Sequence, residues 1–388
     1  MASHLKIFFT NKKCLAVGAA FFLLGFLFGN WATLIPFVKS YYGIDDGVLG
    51  LMLLCLPLGA MTFNPFAAML IQRYSMQQVT SAGMFALSLA YMIPLSLPYV
   101  FMVPAGLVII GVTMTTLNIS ANTMASSLEQ TENVNIMSTC HGMFSVGLMI
   151  GSLMRSLTLI FGISETLHML IMCGVGILLS LFAVKVIIQI PSQTLINESI
   201  PGKFRLILPK GPLLVIIIIS VCINVTEGSM VDWASLYMKE IVRTNPYFVG
   251  WGLFGYSSFM ALGRFFGDGI IPVYGKNKIL TYGAFLAFSG LLLAILLPYT
   301  WTSIAGFALV GLGVSCGSPI LYAAAARYPG MPHAGGLAIM NTFAMGGFLL
   351  GPVVIGFISD FSSLSVAFGF VALLSLVWLT KSIKAILY

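Results

Sequence analysis

Charge is what this sequence has least of. Only 7% of its 388 residues are Asp, Glu, Lys or Arg, against roughly 25% in a soluble globular protein. With 59% of the residues hydrophobic and a mean hydropathy of +1.02, the apolar surface exceeds what a water-soluble fold can bury. Paired cysteines are missing as well. Cys14, Cys55, Cys140, Cys173, Cys222 and Cys316 stand singly in or beside apolar runs, without the CxxC spacing that metal or redox chemistry uses. There is no G-x-x-x-x-G-K followed by Ser or Thr and no H-E-x-x-H, the motifs of phosphate and zinc chemistry, and the G-x-G-x-x-G at 250–255 and G-x-S-x-G at 313–317 lie inside long apolar runs, outside the strand-to-helix context those patterns need. These absences exclude a disulfide scaffold, a disordered chain, a nucleic-acid binder, a cofactor-dependent enzyme and an ATP-driven pump built on this chain alone.

What the sequence has is apolar runs of membrane-spanning length. A spanning helix needs about 20 predominantly apolar residues, and such runs fall near 14–38, 47–71, 79–97, 100–124, 138–161, 165–189, 213–239, 247–270, 277–298, 301–325, 333–359 and 364–387. The expectation is an all-α membrane protein with twelve transmembrane helices, numbered here as spans 1 to 12. The first run follows Lys6, Lys12 and Lys13 and exceeds the roughly 7–15 residue core of a cleaved signal, so it reads as a retained span. With the N-terminus inside, Lys6, Lys12, Lys13, Arg73, Lys185, Lys203, Arg205, Lys210, Lys276, Lys278, Arg327, Lys381 and Lys384 are cytoplasmic, whereas Lys39, Lys239 and Arg243 are outside. That asymmetry satisfies the positive-inside rule and returns the C-terminus to the cytoplasm.

The chain also repeats itself. An offset of 200 matches Gly83 with Gly283, Leu97-Pro98-Tyr99 with Leu297-Pro298-Tyr299, Gly111 with Gly311, Gly147 with Gly347 and Gly151 with Gly351. Nearer the start of each half an offset of 202 matches Trp31-Ala32 with Trp233-Ala234 and sets Asn30 opposite Asp232. Two pseudo-symmetric six-helix bundles are expected, 1–190 and 213–388, joined by a Pro- and Gly-rich cytoplasmic linker at 191–212. Parallel repeats related by an axis along the membrane normal are an arrangement of transporters that bind solute near the midplane.

Gly263-Arg264-Phe265-Phe266-Gly267-Asp268 followed by Gly275-Lys276-Asn277-Lys278 is similar to the cytoplasmic loop between the second and third helices of each half of the major facilitator superfamily. The first-half counterpart keeps Arg73 but has Gln72 where an acid is usual and Ser75 where glycine is usual. Glu227-Gly228-Ser229-Met230-Val231-Asp232-Trp233, Asn122 with Glu129, and His141-Gly142-Met143-Phe144-Ser145 resemble a poorly characterised bacterial branch near the fucose-permease-like members. The resemblance covers the whole chain. It implies the major facilitator fold, a monomer in the bacterial cytoplasmic (inner) membrane, no cofactor, and alternating access for a small-molecule solute.

Each ionisable group inside the bilayer costs about 2.5–3.5 kcal/mol at a helix centre and needs a reason. On span 5, His141, Ser145, Leu148, Ser152 and Arg155 share one stripe at about 100° per residue, read as cavity lining, while Gly147 and Gly151 form a separate small-residue face. On span 7, Ser220, Asn224, Glu227 and Val231 share a face, with Glu227 near the midplane. Glu227 is the leading acid for proton coupling, with Asp232 and His141 as further candidates; a static helix tie is the other reading of Glu227. Arg155 is expected to pair with Asp232 or Glu227 across the halves when the outer side closes. Asn30, Asn118, Arg155, Asn224, Glu227, Tyr256, Ser318, Tyr322 and Asn341 are candidate contacts for a polar solute. Arg73, Asn122, His141, Arg264 and Asp268 are candidate gate residues, Arg264 and Asp268 as an i, i+4 pair. Trp31 and Trp233 read as interfacial anchors, and Gly351-Pro352 as a bend in span 11. The function expected is proton-coupled secondary transport of a small polar or amphipathic solute, with an uncoupled carrier and a non-transporting membrane sensor or assembly partner as alternatives.

Overall fold

The computed structural model describes residues 2–132, 134, 136–191, 209–329, 333–383, 385 and 387, and among these every regular element is helical. Twelve helical segments follow the apolar runs. They are Lys12–Tyr42 (span 1), Asp46–Tyr74 (2), Met76–Leu95 (3), Met102–Glu132 (4), Met137–Ile160 (5), Glu165–Ile187 (6), Pro212–Glu240 (7), Trp251–Tyr274 (8), Lys276–Leu296 (9), Thr300–Ala326 (10), His333–Phe361 (11) and Leu364–Ile383 (12). Among the described residues eleven are long and apolar enough to cross a membrane. Span 8 falls outside that count yet packs among the others, against spans 5, 7 and 10. The expected linker falls almost wholly on residues 192–208, with Lys203 and Arg205, and these, like Lys384, lie outside the described residues.

Local sequence explains how the helices end and break. Gly43, at φ 61°, closes span 1 by sending its N–H to the Lys39 carbonyl. Span 2 breaks at Leu54 and span 10 at Ser315 and Cys316, neither of which the apolar pattern announces. At the second break the Ser315 hydroxyl donates to its own helix at Leu312 O, 2.7 Å away, and the Cys316 thiol donates to Gly263 O of span 8; serine back-bonding of this kind bends helices. Span 11, expected to bend at Gly351-Pro352, is one uninterrupted helix through Pro352. The turns after spans 2 and 8 share one backbone shape, with Ser75 at φ 75°, ψ 153° and Gly275 at φ 82°, ψ 151°. Glycine adopts that region freely and serine does not.

Within lipid there is no hydrophobic force between helices, so close backbone approach at small residues holds a bundle together. Spans 1 and 5 are interlocked this way. Gly25 and Gly29 lie on the Phe144 and Leu148 carbonyls, and Gly147 and Gly151 on those of Phe22 and Phe26. The repeat is visible in the packing: Gly111 of span 4 rests on Leu56 O of span 2, and Gly311 of span 10 rests on Tyr256 O of span 8, both members shifted by 200 positions. The symmetry relaxes at span 11. A Cβ on Gly351 would find nothing nearer than Val225 Cα at 3.9 Å, whereas one on Gly151 would strike Phe26 O and stand 3.1 Å from Asn30 N.

The first and second halves meet along three seams: spans 5 and 8, spans 1 and 7, and the first part of span 2 with span 11. Below, the terminal end is the one carrying the N-terminus and the distal end is opposite. Trp31 and Trp233 do not act as interfacial anchors; they are 1% and 0% exposed, packed inside the bundles because the surrounding helix faces close over them. His168, near the start of span 6, is fully buried with Nδ1 2.9 Å from the Thr158 hydroxyl.

Two substitutions check this packing. Gly151→Ala is expected to lower the apparent melting temperature of the purified protein through an overpacking cost of about 1–3 kcal/mol, while its repeat mate Gly351→Ala leaves it unchanged or higher. Ser75→Gly should raise stability by about 1 kcal/mol by relieving the strained backbone, read in the same thermal unfolding assay.

Candidate functional site

The polar stripe of span 5 does not line a cavity along its length. It faces span 8, on the seam between the halves. Ser138 donates to Arg264 O at 3.0 Å, the Ser145 hydroxyl reaches Met260 Sδ at 3.3 Å, and Ser156 donates to Tyr247 O at 2.6 Å. Gly142 and Gly250 let the helices close: the first lies against the Phe265 ring, the second against Ser152 O. The expected separation of faces holds, since Gly147 and Gly151 pack on span 1.

At mid-depth this seam carries a charge. Arg264, near the middle of span 8, donates through Nη2 to Glu227 Oε1 at 3.1 Å and through Nη1 to Ser145 Oγ at 2.9 Å, with His141 O at 3.5 Å. Glu227 belongs to its own half; Ser145 and His141 belong to the other. Side-chain exposures are 12% for Arg264 and 13% for Glu227, so both are largely buried. Arg264 turns to Glu227 and Ser145, and the expected Arg264–Asp268 latch falls on a side chain, that of Asp268, outside the described residues. A guanidinium in a low-dielectric interior takes the partner that supplies a charge and hydrogen bonds together.

Several predicted solute contacts gather around this pair. Tyr256 is fully buried, its hydroxyl has no partner among the described residues, and it lies within electrostatic range of Glu227 and Arg264. Tyr322 lies within range of Glu227 and donates to Asn341 Oδ1 at 3.0 Å. The Asn341 amide nitrogen reaches only Met345 Sδ, at 3.9 Å. Asn224 ties spans 7 and 11 by donating to Ala344 O at 3.2 Å. The His141 ring packs edge-on against Phe21 with centroids 5.3 Å apart. Ser318 is half-buried on span 10 and makes no hydrogen bond among the described residues.

Other candidates stand apart. Arg155 does not cross to Asp232 or Glu227; it donates to Ile163 O at 2.7 Å and Glu165 Oε1 at 2.6 Å, closing the turn between spans 5 and 6. Glu165 is ten residues away on the same distal turn, a shorter reach than the other half. Asn118 and Asn122 are spent on each other, Asn122 Nδ2 donating to Asn118 O at 2.8 Å. Asn30 donates back to Phe26 O at 2.7 Å, and its Oδ1 is buried without a partner. Asp232 has neither an ion pair nor a hydrogen bond among the described residues and lies within electrostatic range of the buried Tyr91. Arg73 rests over the Tyr74 ring, 5.2 Å from its centroid. Glu129 caps span 5, accepting from Ile136 N at 2.7 Å and Met137 N at 2.8 Å.

Sequence reasoning missed the distal closure. Lys39, placed in an outer loop, sits in the last turn of span 1, 2.6 Å from Asp46 Oδ1 of span 2 and 2.7 Å from Glu240 Oε1 of span 7. Ser359 of span 11 donates to Asp46 Oδ2 at 2.5 Å, and Lys239 of span 7 donates to Pro36 O of span 1 at 3.0 Å. Each bond except Lys39–Asp46 crosses between the halves. The only signal for it was the clustering of these charges at distal helix ends.

Comparison with known proteins places this geometry in context. Residues 17–242 and 230–387 match the family model described as the Major Facilitator Superfamily. The chain is 32% identical over 360 residues to an uncharacterised MFS-type transporter of Yersinia pestis, covering 92% of this chain and 91% of the relative. Its fold is similar to that of a mutant of the nucleoside transporter NupG, with a TM-score of 0.74 at 14% identity and coverage of 97% and 100% of the two chains. It is also similar to the E. coli fucose:proton symporter FucP, with a TM-score of 0.64 at 16% identity and coverage of 96% and 98%.

The distal bonds carry their own expectation. Lys39→Gln leaves Asp46 and Glu240 without their shared cation, so nitroxides attached at Tyr41→Cys and Tyr247→Cys in a background without native cysteines should shift to longer distances by pulsed electron resonance. An unchanged distance distribution would show that backbone packing alone holds this end shut.

Proposed function

Because the chain belongs to the major facilitator superfamily, a family of membrane-embedded transporters rather than enzymes, we propose that it is a proton-coupled secondary transporter working by alternating access. The solute is small and polar or amphipathic. The bundles are residues 1–190 and 213–388 with 191–212 as linker, the protein acts as a monomer in the bacterial inner membrane, and both termini face the cytoplasm. Names of structural relatives support the class: one is a nucleoside transporter and one a fucose:proton symporter.

The observation that carries the reading is Arg264, bonded to Glu227 in its own half and to Ser145 in the other. With the distal ends in contact, this guanidinium joins the only buried acid–base pair at mid-depth among the described residues to the seam that must open. A proton on Glu227 removes the charge that holds Arg264. The guanidinium, which stays protonated in proteins, must then find another acceptor, and loss of one partner of such a pair costs about 3–5 kcal/mol. Proton arrival at Glu227 thus changes the balance of bonds across the seam. Asp232 and His141 are secondary proton sites, and Arg73, Asn122 and His141 act at the terminal-end gate.

The test is transport in liposomes with a solute first identified by thermal stabilisation of the purified protein, since a ligand that binds the native state raises stability by mass action. An inward proton gradient should drive accumulation by the wild type. Glu227→Gln should abolish accumulation yet retain exchange of solute across the membrane. Accumulation that survives in Glu227→Gln removes this acid from the coupling mechanism.

A further inference from the structure

Once Glu227 is protonated, the unspent hydrogen-bonding capacity around Arg264 is mainly donor capacity. A guanidinium carries five N–H donors, and Arg264 sends them to one carboxylate oxygen, one hydroxyl and one distant carbonyl. Its contact with Glu227 is a single one at 3.1 Å, the longest of the five ion pairs among the described residues; the others measure 2.6–2.7 Å. It leaves unused the parallel two-bond geometry in which guanidinium and carboxylate bind best. Tyr256 offers a buried hydroxyl without a partner in electrostatic range. The Asn341 amide nitrogen has only a distant thioether. Glu227 Oε1 is taken by Arg264, and the Tyr256 hydroxyl has no partner among the described residues.

The geometry points to a monocarboxylate with a second acceptor oxygen as the solute: its carboxylate takes the place of protonated Glu227 on Arg264, and the second oxygen accepts from Tyr256. This rests on the proton-coupled reading above and names its substrate class. One proton neutralises Glu227 as one anion replaces its charge on Arg264, so solute and proton move together without net charge. The hydroxyls of an uncharged sugar or nucleoside can accept as well as donate, but such a solute would leave Arg264 without a counter-charge once Glu227 is protonated. The charge count at the exchange is limited to one. Of the helices packed on span 7, span 8 turns Arg264 and Tyr256 to Glu227 and span 10 turns Tyr322; span 5 sets His141 beside Arg264. The charged residues of spans 1, 11 and 12 (Lys12, Lys13, Lys39, Asp360, Lys381) lie at helix ends. Asp232 is five residues along span 7 from Glu227, about 140° round the helix, toward Tyr91.

The experiment measures thermal stabilisation of the detergent-purified full chain by acetate, lactate and gluconate against acetamide, propane-1,2-diol and sorbitol at matched ionic strength. Acids should stabilise in acidic buffer and lose the effect in alkaline buffer, and Glu227→Gln should be stabilised in both. Arg264→Lys should weaken all three acids about tenfold or more, because the planar fork is lost while the charge stays. Tyr256→Phe should weaken lactate and gluconate about tenfold and spare acetate, which has no second oxygen for the hydroxyl. Arg264→Lys and Tyr256→Phe keep the test open should Glu227→Gln fail to fold. Two results overturn the inference: uncharged analogues that stabilise as well as the acids, or no stabilisation by any acid in either buffer. If sorbitol stabilises with a pH dependence that Glu227→Gln removes, coupling at Glu227 stands and the carboxylate class falls. If pH dependence persists in Glu227→Gln, both fall.

Discussion

A guanidinium in the middle of a bilayer protein cannot shed its charge, and no bulk water at that depth takes its hydrogen bonds. Its surroundings must therefore supply acceptors. Arg264 finds them on both sides of the seam between spans 5 and 8, in Glu227 of its own half and in Ser145 and His141 O of the other. Much of the central architecture follows from that requirement. Span 7 must bring an acid to this depth, span 5 must turn a serine toward span 8 and not toward span 1, and Gly142 must let the Phe265 ring close the seam beside the pair.

Close packing at glycines occurs both inside a half and between the halves, and the seams between the halves add polar bonds. Inside the first half, spans 1 and 5 interlock through glycines laid on opposing carbonyls, a contact that separates only with loss of close packing along several turns. Between the halves glycines also meet backbone, Gly250 on Ser152 O and Gly50 on Pro352 O, and polar bonds are added: serine to backbone carbonyl, lysine to carboxylate, arginine to hydroxyl. Interhelical hydrogen bonds in membranes average only about 0.6 kcal/mol each by double-mutant cycles, because the separated groups find other partners. Rigid bundles joined by exchangeable bonds are what rocking about a central site needs.

The two halves are not equivalent copies. Gly351 stands clear of span 7 where Gly151 is pressed against span 1, and Ser75 holds a backbone shape that Gly275 takes without strain. Lys39 of span 1 and Lys239 of span 7 are used differently: one bridges two carboxylates and the other caps backbone and hydroxyl oxygens of span 1. Symmetry sets the scaffold, and departures from it mark where the halves do different work.

Twelve spans, their order, the internal repeat and an acid, Glu227, near the middle of span 7 were readable from the chain, because bilayer thickness and the 3.6-residue turn impose periods that survive in a linear string. The choice of partners was not. Arg264 had Asp268 one turn away on its own helix, and Arg155 had two acids at similar depth across the molecule; the fold sent the first to Glu227 and the second to Glu165. Helical spacing says which residues share a face of one helix. It says nothing of how a neighbouring helix is rotated or how far it stands, and a long charged side chain has reach enough to be governed by those two quantities alone.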